Sequence, residues 1–231
     1  MNQFDINYSG SREGTIAVQN TLVRQVYAWM GAGLLITALA AFFTVSSPAL
    51  LNGVLGNRLV FYGLMLGELG LVMALSAAIN RLSAFAATLM FIIYSALNGV
   101  TLSVIFLVYT ADSISSTFLI TAGMFGAMSA YGYLTRRDLT SWGSFLFMGL
   151  IGVVIASVVN IFMRSDSLSW IVSAIGVIVF TGLTAYDTWK IKALAAAGME
   201  GRKSAILGAL TLYLDFINLF LMLLRLLGRR R

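Results

Sequence analysis

The chain has 231 residues, 59% of them hydrophobic and only 10% charged; soluble domains carry about 25% charged residues, so this composition points to a polytopic membrane protein. It contains no cysteine and no histidine, which excludes disulfides and thiolate sites and removes the commonest metal ligand and general base. The formal charge of +6 resides in loops and a tail with no interleaved aromatics, so it is read as membrane orientation and headgroup contact, and no nucleic-acid binding is expected.

In chain order, residues 1–25 are polar and hold Asp5, Arg12, Glu13 and Arg24. No short apolar core ends there in a small-residue cleavage site, so this stretch is expected to be a flexible cytoplasmic tail and not a signal peptide. Residues 26–226 then form one transmembrane domain of seven apolar segments: 26–46, 59–79, 83–109, 115–134, 142–163, 169–189 and 204–226. Each approaches the roughly 20 residues that a spanning helix needs. Residues 227–231 are a basic tail. The expected fold class is an all-α integral membrane protein, a bundle of seven transmembrane helices.

Lys and Arg in the loops set the orientation. With the N-terminus in the cytoplasm, the inner segments hold Arg12, Arg24, Arg81, Arg136, Arg137, Lys190, Lys192, Arg202 and Lys203, and the outer loops only Arg58 and Arg164. Seven full spans leave Arg229, Arg230 and Arg231 outside; a re-entrant last segment would return them to the inside. Seven spans are the preferred reading. In the fourth segment, "GMFGAMSAYG" (123–132) brings Gly123, Gly126, Ala127 and Ala130 close together, and Gly149 and Gly152 do the same in the fifth. Small residues of this kind suit tight helix contacts in lipid.

An ionisable group at mid-bilayer costs about 2.5–3.5 kcal/mol on insertion scales, so the few that occur are informative. They are Glu68 in the second segment, Asp187 near the inner end of the sixth, Asp215 inside the seventh and Arg225 near its outer end. Asn98 and Asn160 are expected to hydrogen-bond between helices. In the seventh segment Thr211, Asp215, Asn218, Met222 and Arg225 follow one another at four, three, four and three residues, which places them on one helix face. Leu212, Leu214, Phe216, Leu219 and Phe220 cover the other faces. Such a helix belongs inside the bundle or beside a water-filled path, so the C-terminal helix is expected to be central. Asp215 lies about eleven residues into its segment, about 16 Å at the helical rise, and Asp187 near the same end of the sixth. Both carboxylates are therefore expected in the cytoplasmic half. If the two helices are neighbours, the carboxylates meet, titrate as one unit, and offer oxygens that suit calcium. In the alternative reading each aspartate only bonds a neighbouring hydroxyl or backbone group. Arg225 can snorkel to the interface, and Arg81 can be a positive-inside anchor.

The stretches "TGLTAYDTWKIK" (181–192) and "ALTLYLDFINLFLMLLRLLG" (209–228) resemble the two C-terminal signatures of the transmembrane Bax inhibitor motif family, Bax inhibitor-1-like proteins. "YSALNGVTLSVIFLVYT" and "TAGMFGAMSAYGYLTRRDL" are similar to its proteobacterial inner-membrane branch, and the likeness runs from about residue 20 to the end. The resemblance implies a helical bundle with the last helix at its centre, in a bacterial inner membrane. It implies a pH-sensitive calcium leak gated by a dyad whose positions here are Asp187 and Asp215. Glu68 matches an acidic position of the second helix. The pattern also has an arginine near the inner end of that helix that pairs with the dyad in the closed state. The ungapped position here is Ile79 and the nearest arginine is Arg81, a departure from the pattern.

The expected function is thus a cation leak, with Asp187 and Asp215 as gating dyad and transient calcium ligands, and with Glu68, Asn218, Arg225 and Arg81 as ion-path residues or dyad partners. No cofactor and no catalytic residue are expected; the partners are the bilayer, calcium and protons, with other membrane proteins as further candidates. Two other classes compete. One is a non-transporting protein that regulates other membrane complexes. The other is an intramembrane aspartyl protease, whose two carboxylates would share a proton. Against the protease, "LYLD" lacks a Gly-x-Gly-Asp pattern.

Overall fold

The computed structural model describes the backbone of residues 3–199 and 201–231, and side chains from residue 19 onward within those ranges. The described residues are almost wholly helical: α1 (Gln3–Ser46), α2 (Pro48–Leu55), α3 (Arg58–Ala78), α4 (Ala84–Leu102), α5 (Ile105–Val108), α6 (Ala111–Leu134), α7 (Thr140–Met163), α8 (Asp166–Ala196) and α9 (Arg202–Leu227). Seven stretches are long and apolar enough to cross a membrane: Gln19–Ser46, Arg58–Ala78, Ala84–Val108 (α4 with α5), Ala111–Leu134, Thr140–Met163, Asp166–Ala196 and Arg202–Leu227. This is an all-α integral membrane protein, and the seven spans are those expected.

Local chemistry sets the helix ends. Ser47, Asn57, Ser83 and Thr110 precede α2, α3, α4 and α6, and each side-chain oxygen accepts a backbone N–H of the first turn, which satisfies a donor that the helix leaves unpaired. Pro48 opens α2, where its missing N–H costs nothing. Gly198, at φ +84°, ends α8: Gly198 N–H bonds Ala195 O and Met199 N–H bonds Leu194 O, both at 3.1 Å or less. That is the Schellman arrangement, which needs a left-handed residue after the last turn.

Two boundaries differ from the sequence reading. The helix of the first span reaches back to Gln3, so the limit between expected tail and first span, at 25/26, falls inside a continuous helix. Once a helix exists, each added residue gains a hydrogen bond without a new nucleus. Met1, Asn2 and the side chains of Asp5, Arg12 and Glu13 lie outside the described residues. At the other end, α8 continues past Lys190 and Lys192 to Ala196. Lysine is a good helix former and its stem can carry the ammonium to the interface. Asp187 therefore stands nine residues from the end of α8, and Asp215 thirteen from the start of the 26-residue α9. At 1.5 Å per residue these are about 14 and 20 Å. Both carboxyls stand farther from their helix ends than the sequence segments implied, Asp215 at the middle of its helix.

The described chain divides into two compact units: residues up to Ser103 with Lys190–Leu210, and Val104–Trp189 with Thr211–Arg231. In the first, α1 packs chiefly on α4. Thr37 Oγ1 donates to Gly33 O at 2.9 Å and across the contact to Ser95 O at 2.8 Å. Gly99 lets the backbones close: a Cβ there would stand 2.7 Å from the Ala40 Cβ and nearer still to Thr37 O. The guanidinium of Arg202 lies 5.6 Å above the Trp29 ring.

In the second unit, Leu146 and Val153 of α7, Val172, Val179, Phe180 and Leu183 of α8, and Leu219, Met222 and Leu223 of α9 form one buried cluster. Ile105, Tyr109, Phe220 and Leu224 form another. The buried face of α6 is Ser113, Thr117, Thr121, Phe125, Ser129 and Gly132. Gly123, Gly126, Ala127 and Ala130 are exposed, and a Cβ at either of those glycines would meet nothing within 4 Å. The small-residue stripe thus faces outward, and the close helix contact is made by Gly132. Lipid tolerates small or large apolar groups alike, whereas hydroxyls need the interior, so the hydroxyl stripe decides the rotation of α6. In α7, Gly149 packs on Val179 as expected, while Gly152 is open.

α9 is central. In its most apolar window 72% of residues are buried, against at most 44% in any other span. The flanking residues Leu212, Phe216, Leu219 and Phe220 are buried as well as Asp215, as befits a helix enclosed on all sides. α9 is also a full span. After Leu227 the chain pairs with the α5–α6 turn: Thr110 N–H bonds Arg229 O at 3.1 Å, Arg231 N–H bonds Val108 O at 3.0 Å, and Arg229 N–H bonds Ser113 Oγ at 2.9 Å. That turn follows three spans. A chain end beside it must also follow an odd number, which seven complete spans provide and a re-entrant last segment does not.

Candidate functional site

Three consecutive residues of α8 point three ways, because successive helical side chains are about 100° apart. Ala185 lies against Gly132 of α6: a Cβ on Gly132 would stand 2.9 Å from the Ala185 carbonyl carbon. Tyr186 lies over Gly143 of α7, where a Cβ would come within 2.7 Å of the phenol oxygen and closer to the ring. Its ring also neighbours Trp189, at 5.9 Å between centroids. With those two faces taken, Asp187 is turned toward α9. There Asp215 is its partner, by hydrogen bond and by charge.

Phe216 fixes the rotation of α9 in the same way. Its ring meets Phe118 and Phe125 of α6, each at 5.4 Å between centroids and edge-on, a favourable quadrupole arrangement. Asp215, one residue back, then faces α8. It is 5% exposed, and its Oδ2 is buried without a hydrogen-bond partner. A carboxylate has no proton to donate, so a hydrogen bond between two carboxyl groups holds one proton between them. Protonated once, the pair ties α8 to α9; stripped of that proton, it sets two like charges face to face in a poorly solvated place.

The remaining candidates make contacts of their own. Glu68 belongs to the first unit, half-buried against α4. Its Oε2 accepts Asn98 Nδ2 at 3.2 Å, and its Oε1 accepts a short bond from the Thr101 hydroxyl. Tyr94, one turn before Asn98, lies within range of the Glu68 charge. Asn218 shares the face of Asp215 but donates to Leu214 O of its own helix at 2.8 Å. Arg225 is exposed, in keeping with snorkelling, and so is Arg81, in the turn after α3, where its N–H bonds Ala78 O at 2.8 Å. Asn98 does bond between helices. Asn160 does not: its Oδ1 accepts Ser165 N–H at 3.0 Å and closes the end of α7, where Arg164 is left-handed at φ 50°. Sequence reasoning missed Thr101, although Asn98 and Thr101 stand three residues apart on one face. It also missed Ser129 and Thr181, whose buried hydroxyls have no partner; the signal for Ser129 was the four-residue recurrence of hydroxyls along α6.

Among the described residues no group of three or more acidic side chains is positioned to hold a metal ion. The aspartates present two carboxyls, one with a free buried oxygen. A hard cation such as calcium takes six to eight oxygens, so it would need water or carbonyl oxygens besides.

A family model described as "Inhibitor of apoptosis-promoting Bax1" matches residues 19–231. The chain belongs to the Bax inhibitor-1-like family. A relative in Escherichia coli, named inner membrane protein YbhL, is 56% identical over 216 residues, which cover 91% of this chain and 92% of that protein. Relatives in Borreliella burgdorferi and Rickettsia prowazekii, each named only as an uncharacterized protein, are 47% and 46% identical and cover 94% and 90% of this chain and 95% and 89% of their own lengths. The family match takes in every span, both aspartates and Glu68.

Proposed function

We propose that this Bax inhibitor-1-like protein is a pH-sensitive calcium leak of a bacterial inner membrane, with its N-terminus in the cytoplasm and no enzymatic activity, gated by Asp187 and Asp215. The observation that carries the reading is the buried contact between these two carboxyls on α8 and the central α9, with Asp215 Oδ2 unpartnered. One proton decides whether the two helices are tied or repelled. Protonation then shifts any equilibrium between closed and open states that differ in this contact. The free oxygen is a ligand for a cation in transit. The membrane assignment rests on the name of the Escherichia coli relative, and the orientation on the basic inner loops.

The test is calcium flux through proteoliposomes of the purified full chain between about pH 6 and pH 8, beside Asp187→Asn and Asp215→Asn. An amide keeps the hydrogen bond but cannot titrate, so each substitution should flatten the pH profile. Wild-type profiles in both variants refute gating by the pair. No flux above protein-free liposomes at any pH refutes the leak and leaves the regulatory reading.

A further inference from the structure

Buried hydroxyls in this protein usually satisfy themselves one helical turn back. Thr121 Oγ1 donates to Thr117 O at 2.7 Å, Thr184 Oγ1 to Phe180 O at 2.8 Å, and Ser95 Oγ to Phe91 O at 2.9 Å. Among the described residues three buried side-chain atoms have no partner: Ser129 Oγ, Thr181 Oγ1 and Asp215 Oδ2. All three belong to the second unit. Ser129 and Asp215 are 7% and 5% exposed. Native proteins seldom leave such atoms unsatisfied, and buried water is the usual partner.

Helix register brings them together. α6 and α8 are the fourth and sixth spans, so they run in the same direction, and they touch at Gly132 and Ala185. Ser129 stands three residues before Gly132, and Thr181 four before Ala185. Each is one turn back on the contact face, so the two hydroxyls flank the same stretch of the α6–α8 interface. α9 runs the other way. It meets α8 through Asp215 at Asp187 and, farther along, through Met222 at Gly176, whose added Cβ would lie 2.9 Å from Met222 Cγ. Thr181 lies between those two contacts in height, on the side of α8 that faces α6, and Asn218 lies between them on α9. Phe125, one turn before Ser129, touches the ring of Phe216, next in sequence to Asp215. The two hydroxyls thus flank one stretch of the α6–α8 interface, and the carboxyl oxygen at Asp187 lies about 9 Å along α8 from Thr181 at the helical rise, a span for a short file of waters, each of which needs two to four polar partners. Beyond it, the apolar cluster around Val172, Val179, Met222 and Leu223 closes the way.

We propose that Ser129, Thr181 and Asp215 form an internal hydration site that extends the aspartate pair toward the Met222–Gly176 contact. Its ligand is water. On the leak reading of the previous subsection, on which this clause alone rests, the site also supplies the oxygens that a cation exchanges as it leaves or enters the pair.

X-ray hydroxyl-radical footprinting of the full chain in detergent tests this directly. Radicals born on a bound water mark the side chains beside it, while bulk radicals do not reach the interior. Phe125 and Phe216 are the reporters; Phe91, equally buried but beside the satisfied Ser95, is the control. In the wild type, Phe125 and Phe216 should be modified several-fold faster than Phe91. Ser129→Ala with Thr181→Val should bring them down to the Phe91 level, and Thr181→Ser, which keeps the hydroxyl, should not. Wild-type reporters as inert as Phe91 overturn the site, as does full labelling in the folded double variant. If the double variant does not fold, the wild-type comparison decides. Calcium flux on the same samples separates the two ideas. Labelling without flux keeps the hydration site and removes the leak; flux without labelling does the reverse.

Discussion

Replacing Gly132 by alanine tests the contact that turns Asp187 toward α9. The added methyl carbon would stand 2.9 Å from the Ala185 carbonyl carbon and 3.0 Å from its Cα, with the carbonyl oxygen nearer still. All three are backbone atoms, so no rotamer change relieves the clash. Ordinary contact begins at 3.4 Å, so α6 and α8 must part by at least 0.5 Å (3.4 − 2.9). Overpacking of this kind costs about 1–3 kcal/mol, and a rigid neighbour argues for the upper half of that range. Alanine recovers about 0.5–1 kcal/mol through its helix preference over glycine. The expected net loss is about 1–2 kcal/mol. Gly126→Ala is the control: same helix, same chemistry, open space around the new methyl, so only the propensity gain remains. Unfolding of both variants by SDS titration in mixed micelles, followed by tryptophan fluorescence, should separate them by about 2–3 kcal/mol. Equal stabilities would refute the assignment of Gly132 as the α6–α8 contact, and with it the rotation of α8 argued above.

Thr101→Val removes one of the two donors to Glu68 and should lower stability in the same titration by about 1 kcal/mol, whereas Glu68→Gln should cost less, because its oxygen still accepts from Asn98 while its NH2 can donate to the Thr101 hydroxyl, which then donates to Leu97 O. Asp138, outside the spans, accepts both the Thr140 N–H at 2.8 Å and its hydroxyl at 2.6 Å, and these bonds hold its carboxyl below the usual carboxylate range. Its contribution to the start of α7 is therefore present above its unfolded value and lost as pH falls through the lower folded one; in a carbon-13 NMR titration, Thr140→Val should move the Asp138 midpoint upward. With no native cysteine, Arg231→Cys and Arg81→Cys can be labelled by an impermeant thiol reagent. They follow seven and two spans, so they should react from opposite sides of the membrane; reaction from one side would sink the full-span reading of α9.

Spans were legible because entry into hydrocarbon is written in hydropathy: segments 59–79 and 142–163 became Arg58–Ala78 and Thr140–Met163. Where a helix continues beyond the hydrocarbon is not written there. Lys190 and Lys192 mark the interface but favour helix, so α8 runs on past them to Ala196. Rotation was legible only where polarity forces it. In α9 only Asp215 of the Thr211, Asp215 and Asn218 spacing is fully buried, and the apolar flanks are enclosed too; small residues are equally content against lipid or protein, so the Gly123–Ala130 stripe misled and Gly132 was overlooked. The pairing of Asp187 with Asp215 could be anticipated from the two helices being neighbours, and from the resemblance. Its cause, Ala185 and Tyr186 seated on two glycines of other helices, needs coordinates.

An unsatisfied buried polar atom costs about 1–3 kcal/mol. The two units differ in how they meet that cost. In the first, Thr37, Thr88 and Ser95 bond carbonyls, and Glu68 has two donors. In the second, Ser129, Thr181 and Asp215 each keep an atom without a partner, although alanine, valine or leucine would fit a lipid-embedded helix at least as well. A sequence under selection for stability alone would replace them. Departures from local consistency concentrate where a protein works, and here they fall in the unit that holds the pair of carboxyls on α8 and α9. This supports placing the gating pair in the second unit, whereas among the described residues the buried polar side chains of the first unit all have partners.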